Sequence, residues 1–370
     1  MKIIVQTNDL KKYLGIVCRG VSSRPQLPIL SGVLLKATKE EVSLVATDLE
    51  VSFWLSLPAM VEEEGEIVLP AKLLSELVSG LPSGKVTLSS EKHTVKIEVD
   101  GINSEVVGQG AEDFPEVPRA KKAQMVLKSG DFRQKMDRVC VSAARDDTRP
   151  VLAGVLWEIA EGKVSLVATD GYRLSVDKLN LSKSELDKDA RLILPARSLQ
   201  EVSRMLGETG DDEFSLEFDK NDQQVIFKVG EIEVTSRLIA GEFPPYQQIM
   251  PNTYSIKAVF GREEILEAVK RASLFARDNA NIVKLEIKKK SVVVRAESSQ
   301  VGTSMTELEA EVEGEELVVA FNARYLLDYL GICTAEKVIW ETEGELKPSV
   351  FRNEEEETWV QVIMPVRVQE

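Results

Sequence analysis

Two hydrophobic periodicities alternate along the chain, and each is typical of a different element. Apolar residues at helical spacing predict six helices, over residues 8–19, 70–80, 131–142, 195–206, 262–277 and 322–331. Asn8 or Asp9 suits the N-cap of the first helix, and Pro70 suits the first position of the second. Elsewhere apolar and polar residues alternate with period two, which predicts strands. In "KVTLSSEKHTVKIEVDGINSEVVG" these strands include His93 and turn at Asp100-Gly101.

One apolar string, "VSLVATD", occurs twice, at residues 42–48 and 164–170. Matching segments surround both copies in the same order: an Arg-Pro pair, an apolar stretch through "GVL", the repeated string, and a helix after "LPA". A more diverged third copy begins near Tyr254. Long internal repeats mark repeated structural units. The sequence therefore predicts three domains, over residues 1–120, 121–251 and 252–370, each an α+β unit with two helices packed on an antiparallel sheet.

The charge of the chain is unevenly distributed. A net charge of −15 by itself argues against a nucleic-acid partner, but the six predicted helices hold 14 Lys or Arg and 9 Asp or Glu, a net charge of +5. Basic helices can attract phosphates without reading bases. Alternatively, Arg19, Arg204 and Arg277 offset the dipoles of the helices they end. Acidic runs such as "NEEEETW" are interpreted as solvated surface.

The sequence lacks the residues that several classes of protein function require. There is no glycine-rich phosphate loop, the three cysteines match no metal spacing and are expected to be reduced and buried, and one histidine cannot build a multi-histidine metal site. Asp48 and Asp170 each follow a Thr at the end of the repeated string, which favours a turn role over catalysis. No apolar run approaches the roughly 20 residues that cross a bilayer, and no secretory signal opens the chain. We therefore expect a cytoplasmic protein that is not an enzyme and has no metal or cofactor.

Four motifs follow one another along the chain: "RPQLPIL", "LVATDGYRL", "GEFPPY" and the C-terminal "VIMPVRV". With the three tandem units, they resemble the bacterial sliding clamp, the beta subunit of DNA polymerase III, over essentially the whole chain. The resemblance implies a homodimer whose two three-domain arcs join head to tail into a closed ring around duplex DNA. It also implies that helices line the hole, that DNA contacts are independent of sequence, and that an ATP-driven clamp loader opens the ring.

The resemblance further implies a hydrophobic cleft between the second and third domains. In the family this cleft receives short linear peptides of DNA polymerases, the clamp loader, mismatch-repair proteins and ligase. Carried over residue by residue, it comprises Leu152, Thr169, Gly171, Tyr172, Arg173, Leu174, Pro244, Gln248, Ile249, Leu346, Pro348, Val362, Ile363, Met364, Pro365, Val366 and Arg367. Tyr172 replaces a residue that is often His, and Gln247-Gln248 replace a pair that is often basic. The peptide preference is therefore expected to differ in detail.

Residues for DNA contact and ring closure follow from the same resemblance. Arg24 and its second-copy counterpart Arg149 match family positions that approach the duplex. The basic helices add further candidates: Lys11, Lys12, Lys72, Arg138, Arg197, Arg204, Lys270, Arg271 and Arg324. At the seam between two copies, Leu274 and Phe275 match the apolar interface patch of the family, and their expected partners are Ser104, Val106 and Val107 of the other copy.

Two rival functions remain compatible with the sequence. The first is a monomeric or differently assembled DNA-binding scaffold built from the same three units. The second, more distant, is a metal-dependent hydrolase that uses Asp48 and Asp170. A stable dimer near twice 41.1 kDa would distinguish the ring from the monomeric scaffold.

Overall fold

The computed structural model describes residues 1–22, 25–146, 148–160, 162–184, 189–219, 223–251, 253–356 and 358–367. Contacts within the chain divide it into two compact units. The first unit comprises residues 1–130, 181–186 and 201–238, and the second comprises residues 131–180, 187–200 and 239–370. The middle third of the chain therefore contributes to both units.

Helices in the described part of the chain follow the predicted segments. The α-helices are α1 Thr7–Val17, α2 Ala71–Ser79, α3 Ser129–Cys140, α4 Ala196–Thr209, α5 Arg262–Ala276 and α6 Ala323–Ile332. Short 3-10 helices lie at Cys18–Gly20, Pro28–Ser31, Pro150–Ala153 and Tyr246–Gln248. Every predicted helix boundary lies within about three residues of the observed one, as the usual uncertainty of helix ends allows.

The first residues of two helices differ from the prediction, because strands run directly into both helices. α1 begins at Thr7 with Gln6 as its N-cap, so neither Asn8 nor Asp9 caps it. Pro70 is the N-cap of α2 and the last residue of the preceding strand, rather than the first helical residue. Without an intervening loop, the last strand residue occupies the cap position.

Strands make up most of the remaining chain. In chain order they are β1 Lys2–Gln6, β2 Gly32–Ala37, β3 Val42–Thr47, β4 Val51–Leu57, β5 Ala59–Glu63, β6 Gly65–Pro70, β7 Lys85–Glu91, β8 Thr94–Val99, β9 Ile102–Val107, β10 Met125–Lys128, β11 Gly154–Ala160, β12 Lys163–Thr169, β13 Arg173–Asn180, β14 Lys183–Ser184, β15 Ala190–Pro195, β16 Glu213–Asp219, β17 Gln224–Val229, β18 Ile232–Arg237, β19 Ile256–Gly261, β20 Ile282–Lys288, β21 Ser291–Ser298, β22 Gly302–Glu313, β23 Leu317–Asn322, β24 Lys337–Thr342, β25 Ser349–Asn353 and β26 Val360–Ile363.

Two tight turns connect β7, β8 and β9. Asp100 and Gly101 form the predicted turn between β8 and β9, with φ of 42° and 80°. Positive φ at both central residues is the signature of a type I′ hairpin turn. His93 lies in the exposed turn between β7 and β8, so its predicted place within a strand is wrong.

The first unit contains two antiparallel sheets. Five strands form one sheet in the order β5-β1-β7-β8-β9, and nine form the other in the order β14-β10-β16-β17-β18-β4-β3-β2-β6. In the nine-stranded sheet β4 pairs with β18, and Phe53 lies opposite Val234, so the first repeat and the second share one sheet. α1 packs against β3, β4 and α2, and it buries Leu10 and Leu14.

The second unit is built on a single twelve-stranded sheet. Its order is β15-β11-β12-β13-β26-β25-β24-β19-β22-β21-β20-β23. β13 of the second repeat pairs with β26 of the third, with Leu174 opposite Val362. α5 packs against α6 and the neighbouring strands, over a core in which Phe321, Trp340 and Phe351 have ring centroids 5.7–6.0 Å apart.

Four charged side chains form an ion-pair network inside the second unit. Arg138 on α3 is 1% exposed and lies 3.4 Å from Asp177 and 2.6 Å from Glu356, and Lys135 lies 3.3 Å and 2.8 Å from the same carboxylates. Trp359 is fully buried against the Arg138 guanidinium. Interpreting "NEEEETW" as solvated surface is therefore wrong for Glu356 and Trp359. Hydrogen bonding from Arg138 lowers the pKa of Glu356 to about 2.

Gly154, in the repeated "GVL" segment, is required by close packing. A Cβ atom there would lie 2.5 Å from Ile193 Cγ2 and 2.8 Å from Ile239 Cδ1. Overpacking of this kind costs about 1–3 kcal/mol, so Gly154→Ala is expected to lower the free energy of unfolding by that amount in urea denaturation. Gly15→Ala is the matched control, because beyond the neighbouring backbone of its own helix no atom lies within 4 Å of its added Cβ. In the middle of α1 it is expected to stabilise by about 0.5–1 kcal/mol, and a loss of stability in both variants would contradict the packing argument.

Candidate functional site

The repeated string ends in the same turn in both copies. The side-chain Oδ1 of Asp48 accepts hydrogen bonds from the backbone N–H groups two and three residues further on, at 3.0 Å and 2.8 Å. Asp170 does the same at 2.9 Å and 3.0 Å. The predicted turn role of both carboxylates is confirmed. The residue after each Asp has a left-handed backbone: φ is 76° at Leu49 and 92° at Gly171.

Part of the predicted cleft lies beneath the surface of the second unit. β13 pairs with β26 there, and the side chains of both strands join one apolar cluster with Phe243 and Tyr246. The predicted cleft residues with buried side chains are Leu152, Thr169, Arg173, Leu174, Val362 and Ile363. Among them, Leu174 and Val362 lie opposite each other across the β13–β26 pair.

Arg173 is fixed in place by three neighbours. Its guanidinium lies 3.0 Å from the Asp170 carboxylate, 2.7 Å from the Asp328 carboxylate, and over the ring of Tyr325 at 4.6 Å from the centroid. The side chain is buried, and two carboxylates neutralise its charge within the chain.

The other predicted cleft residues reach solvent. Tyr172 is 61% exposed and Leu346 is 47% exposed, and the backbone N–H of Met364 donates to the carbonyl of Tyr172 at 2.8 Å. Exposed large apolar side chains near one strand pair are typical of an interaction site. The exposed or half-buried members are Gly171, Tyr172, Pro244, Gln248, Ile249, Leu346, Pro348, Met364, Pro365, Val366 and Arg367.

Tyr246 holds the loop that carries Gln248 and Ile249. Its ring packs in the apolar cluster under the cleft, and its hydroxyl donates to Glu158 Oε2 at 2.7 Å. Burial, together with this hydrogen bond, raises the pKa of Tyr246 to about 12. Neither Tyr246 nor Glu158 is among the predicted cleft residues. They are 88 residues apart, so no local pattern could have joined them.

Most of the predicted DNA contacts have side chains that reach solvent. Lys11 is half-buried, and its ammonium donates to the carbonyl of Leu81 at 2.7 Å. The exposed candidates are Lys12, Lys72, Arg149, Arg197, Arg204, Lys270, Arg271 and Arg324. The prediction for Arg138 is wrong, because its guanidinium is buried in the ion-pair network and cannot reach a phosphate. Arg24 lies outside the described residues.

Candidate seam residues lie on one edge strand and one helix. β9 is an edge strand of the five-stranded sheet, and Val107 on it is 70% exposed, whereas Ser104 is half-buried. Val106 points into the core, so only its backbone is placed for an edge contact. On α5, Leu274 is 52% exposed, and Phe275 is half-buried against the core.

Residues suited to redox or metal chemistry are few. Among the described residues, no group of three or more His, Cys, Asp or Glu side chains is placed to hold a metal ion. The three cysteines are free thiols, of which Cys140 and Cys333 are buried and Cys18 is half-buried. Burial raises the pKa of each thiol, to about 11 for Cys18. No helix in the described ranges combines the length and apolar character needed to cross a membrane.

Comparisons with known proteins agree over nearly the whole chain. Residues 1–118, 126–245 and 247–367 match the family models of the N-terminal, central and C-terminal domains of the DNA polymerase III beta subunit. The chain is 30% identical to the beta sliding clamp of Bacillus subtilis over 99% of this chain and 100% of that protein. It is also 30% identical to the beta sliding clamp of Staphylococcus aureus over 99% of both chains.

Solved structures of sliding clamps superpose on this chain over its whole length. The DNA polymerase sliding clamp of Bacillus subtilis superposes with a TM-score of 0.94 and 28% identity over 100% of both chains. The DNA polymerase III beta subunit of Thermotoga maritima superposes with a TM-score of 0.92 and 26% identity, again over 100% of both. The predicted α+β fold of three clamp domains is therefore confirmed. The chain belongs to the family of bacterial beta sliding clamps, the beta subunits of DNA polymerase III, whose members are DNA sliding clamps rather than enzymes.

Proposed function

We propose that two copies of this chain close into a ring around duplex DNA and tether the replicative polymerase to it as a processivity factor. The observation that carries the proposal is the match of three successive domains to one clamp family, on an acidic chain whose six predicted helices have a net positive charge. A ring holds DNA by topological linkage, so its contacts with the phosphates need only be weak and independent of sequence.

In the proposed ring, basic side chains of the helices and of two Arg-Pro loops face the DNA. We assign this role to Arg149, Lys11, Lys12, Lys72, Arg197, Arg204, Lys270, Arg271 and Arg324, together with Arg24. Several of them already have an acidic neighbour: Arg204 lies 2.9 Å from Glu201, and Lys270 lies 2.8 Å from Glu267. Paired cations of this kind weaken the grip on any one phosphate, which suits a protein that slides.

The seam is proposed to join β9 of one copy to α5 of the other. Val107 and Leu274 would supply exposed apolar surface, Phe275 would back it, and Ser104 and Val106 would supply the unpaired edge of β9. In a monomer, the unpaired backbone groups of an edge strand and the exposed apolar side chains are both energetically unfavourable. Burial of this surface against a second copy would pair the strand edge and remove the apolar side chains from water.

The cleft is proposed to bind short linear peptides from DNA polymerases, the clamp loader, mismatch-repair proteins and ligase. Tyr172, Ile249, Leu346 and Met364 would contact apolar side chains of the peptide, over the floor formed by β13 and β26. An apolar pocket with a few polar groups and a flexible Met suits several related peptides.

We also propose domain boundaries near residues 120 and 251 and a cytoplasmic location.

Retention on DNA tests the ring directly. Protein loaded by a clamp loader onto a closed circular duplex is expected to remain bound at a salt concentration that abolishes contact-only binding, because linkage does not depend on counterions. Cutting the circle at one site should release it within the time needed to slide to an end. A DNA-binding scaffold without a closed ring would dissociate equally from circular and linear DNA, and that result would overturn the proposal.

A further inference from the structure

An irregular segment connects β9 to β10 and is bound to the sheet along part of its length. Residues 108–124, all within the described part of the chain, belong to none of the helices and strands. Even so, the backbone N–H groups of Lys121 and Lys122 donate to one oxygen of the Glu217 carboxylate on β16, at 2.5 Å and 2.8 Å. Residues 118–122, here called the strap, are therefore held against the second repeat.

Arg119 of the strap lies across the strand pair that joins the first repeat to the second. β4 pairs with β18 there, and Trp54 on β4 lies directly opposite Glu233 on β18. The Arg119 guanidinium lies over the Trp54 ring, 3.0 Å from its centroid, and Nε of Arg119 donates to Glu233 Oε2 at 2.9 Å. The backbone N–H of Ala120 donates to the same oxygen at 3.0 Å. One side chain of the strap thus contacts both repeats at once.

The Glu233 carboxylate depends on the strap for its neutralisation. Its side chain is only 2% exposed, and a buried carboxylate is unfavourable unless cations and hydrogen-bond donors surround it. Arg119 donates through both Nε and Nη2, whereas Lys228 lies 3.5 Å away and is itself exposed. Without the Arg119 charge, Glu233 would regain its hydration most readily if the strap moved away from the sheet.

The corresponding strand pair in the second unit is apolar at the same position. Trp54 and Val176 each lie seven residues after the Thr of the repeated string. Val176 lies opposite Val360 across β13 and β26, and both pack in one cluster with Tyr246, which follows β18. The two strand pairs that join successive repeats are therefore covered differently, the first by an ion pair and a cation–π contact and the second by apolar contact.

Ionic and apolar contacts respond differently to dissolved salt. Arg119 is 41% exposed, so ions reach its side of the pair with Glu233. The distance over which charges act falls from about 10 Å at 0.1 M salt to about 3 Å at 1 M, so concentrated salt weakens this attraction. Screening of charges has no such effect on apolar contact.

We propose that the Arg119–Glu233 ion pair holds β4 and β18 together through the strap, and that this strand pair separates more readily when the ion pair is weakened, whereas β13 and β26 do not. The strap makes the connection between the first two repeats sensitive to ionic strength. Every contact involved lies within the first unit, so the inference does not rest on the proposed ring or cleft.

Hydrogen–deuterium exchange of the full-length chain, followed by mass spectrometry, tests the proposal, because backbone amides exchange when a strand pair opens. In Arg119→Gln, peptides that cover residues 51–57 and 232–237 are expected to exchange about tenfold faster than in wild-type protein, because a buried carboxylate loses its charged hydrogen-bond donor. Peptides from β13 and β26 should change by less than about twofold. Adding Glu233→Gln to Arg119→Gln should return the rate to within about threefold of wild type, because no buried charge remains.

Lys36→Gln is the matched control variant. Lys36 on β2 lies opposite Glu66 on β6 in the same nine-stranded sheet, and their charged groups are 3.2 Å apart. Both side chains are exposed, so loss of this pair is expected to change exchange in β4 and β18 by less than about twofold.

Salt provides a second measurement that needs no variant. In wild-type protein, raising NaCl from about 0.1 M to about 1 M is expected to make exchange in β4 and β18 about threefold faster and to leave β13 and β26 unchanged. Arg119→Gln should show a smaller salt effect in β4 and β18, since its ion pair with Glu233 is already absent.

Other results would overturn the inference, each for a different reason. Unchanged exchange of β4 and β18 in Arg119→Gln would mean that the ion pair does not hold these strands. An equal increase in β13 and β26 would indicate a general loss of stability. A double variant that exchanges as fast as Arg119→Gln would assign the effect to lost packing on Trp54 rather than to charge. If Arg119→Gln fails to fold, equal salt responses of the two strand pairs in wild-type protein would reject the strap.

Discussion

Arg138→Met is expected to lower the free energy of unfolding of the second unit by about 3–5 kcal/mol, the usual cost of removing one partner from a buried ion pair. Asp177 is fully buried and Glu356 is partly buried. Both carboxylates would lose their ion pair with the Arg138 guanidinium. Lys135 would remain paired with both carboxylates. Tryptophan fluorescence in urea suits the measurement, because three of the four tryptophans lie in the second unit.

Arg133→Met on the same helix is the matched control. Arg133 is exposed, so its loss is expected to change the unfolding free energy by less than about 0.5 kcal/mol. The pKa of Glu356 is lowered from 4.5 to about 2, so this group stabilises the native state fully above about pH 4.5 and loses its effect as the pH falls toward 2. Glu356→Gln should reduce the change in unfolding free energy between about pH 4.5 and pH 2. Equal stabilities of Arg138→Met and Arg133→Met would contradict a buried network.

Leu274→Asp is expected to convert the proposed dimer into a monomer. Leu274 is 52% exposed on α5, and its proposed partner surface is the apolar edge of β9 on a second copy. A carboxylate at the centre of an apolar contact must be desolvated without a partner, which costs several kcal/mol and raises the dissociation constant at least a hundredfold. Sedimentation equilibrium should find wild-type protein near twice 41.1 kDa and the variant near 41.1 kDa.

Met60→Asp provides the comparison for Leu274→Asp. Met60 is 57% exposed on β5, at the opposite edge of the five-stranded sheet from β9, and has no proposed contact. It is expected to remain dimeric and to stay on circular DNA, whereas Leu274→Asp should fail to be retained. A dimer that survives Leu274→Asp would place the seam on another surface, and a wild-type monomer would remove the ring.

Local sequence patterns predicted much of the fold correctly. All six helices appear where apolar spacing placed them, because one buried stripe per helix repeats every three or four residues. The turn at Asp100-Gly101 and the turns at Asp48 and Asp170 were predictable for a similar reason, since their hydrogen bonds and backbone angles involve only adjacent residues. The caps of α1 and α2 were missed, because the sequence does not reveal that each strand continues to the first helical residue.

The predicted site was less complete than the predicted fold. Tyr172 and Met364 were identified through motifs that resemble a known family, and Leu346 through the resemblance of the whole chain; the structure gives each a solvent-accessible position. Arg138 was wrongly assigned to DNA, because a basic residue on a basic helix is expected to be exposed until its partners are known.

The sequence by itself determined that the chain contains three related α+β units, where their helices lie, and which turn ends the repeated string. Each of these features depends on residues near one another in the chain. Only the tertiary structure decided which charges are structural and which are available. Arg138 and Glu356 are 218 residues apart, and their pairing depends on how β13 and β26 join two repeats in one sheet. Burial and long-range pairing arise from packing between distant segments, so no local pattern of residues could encode them.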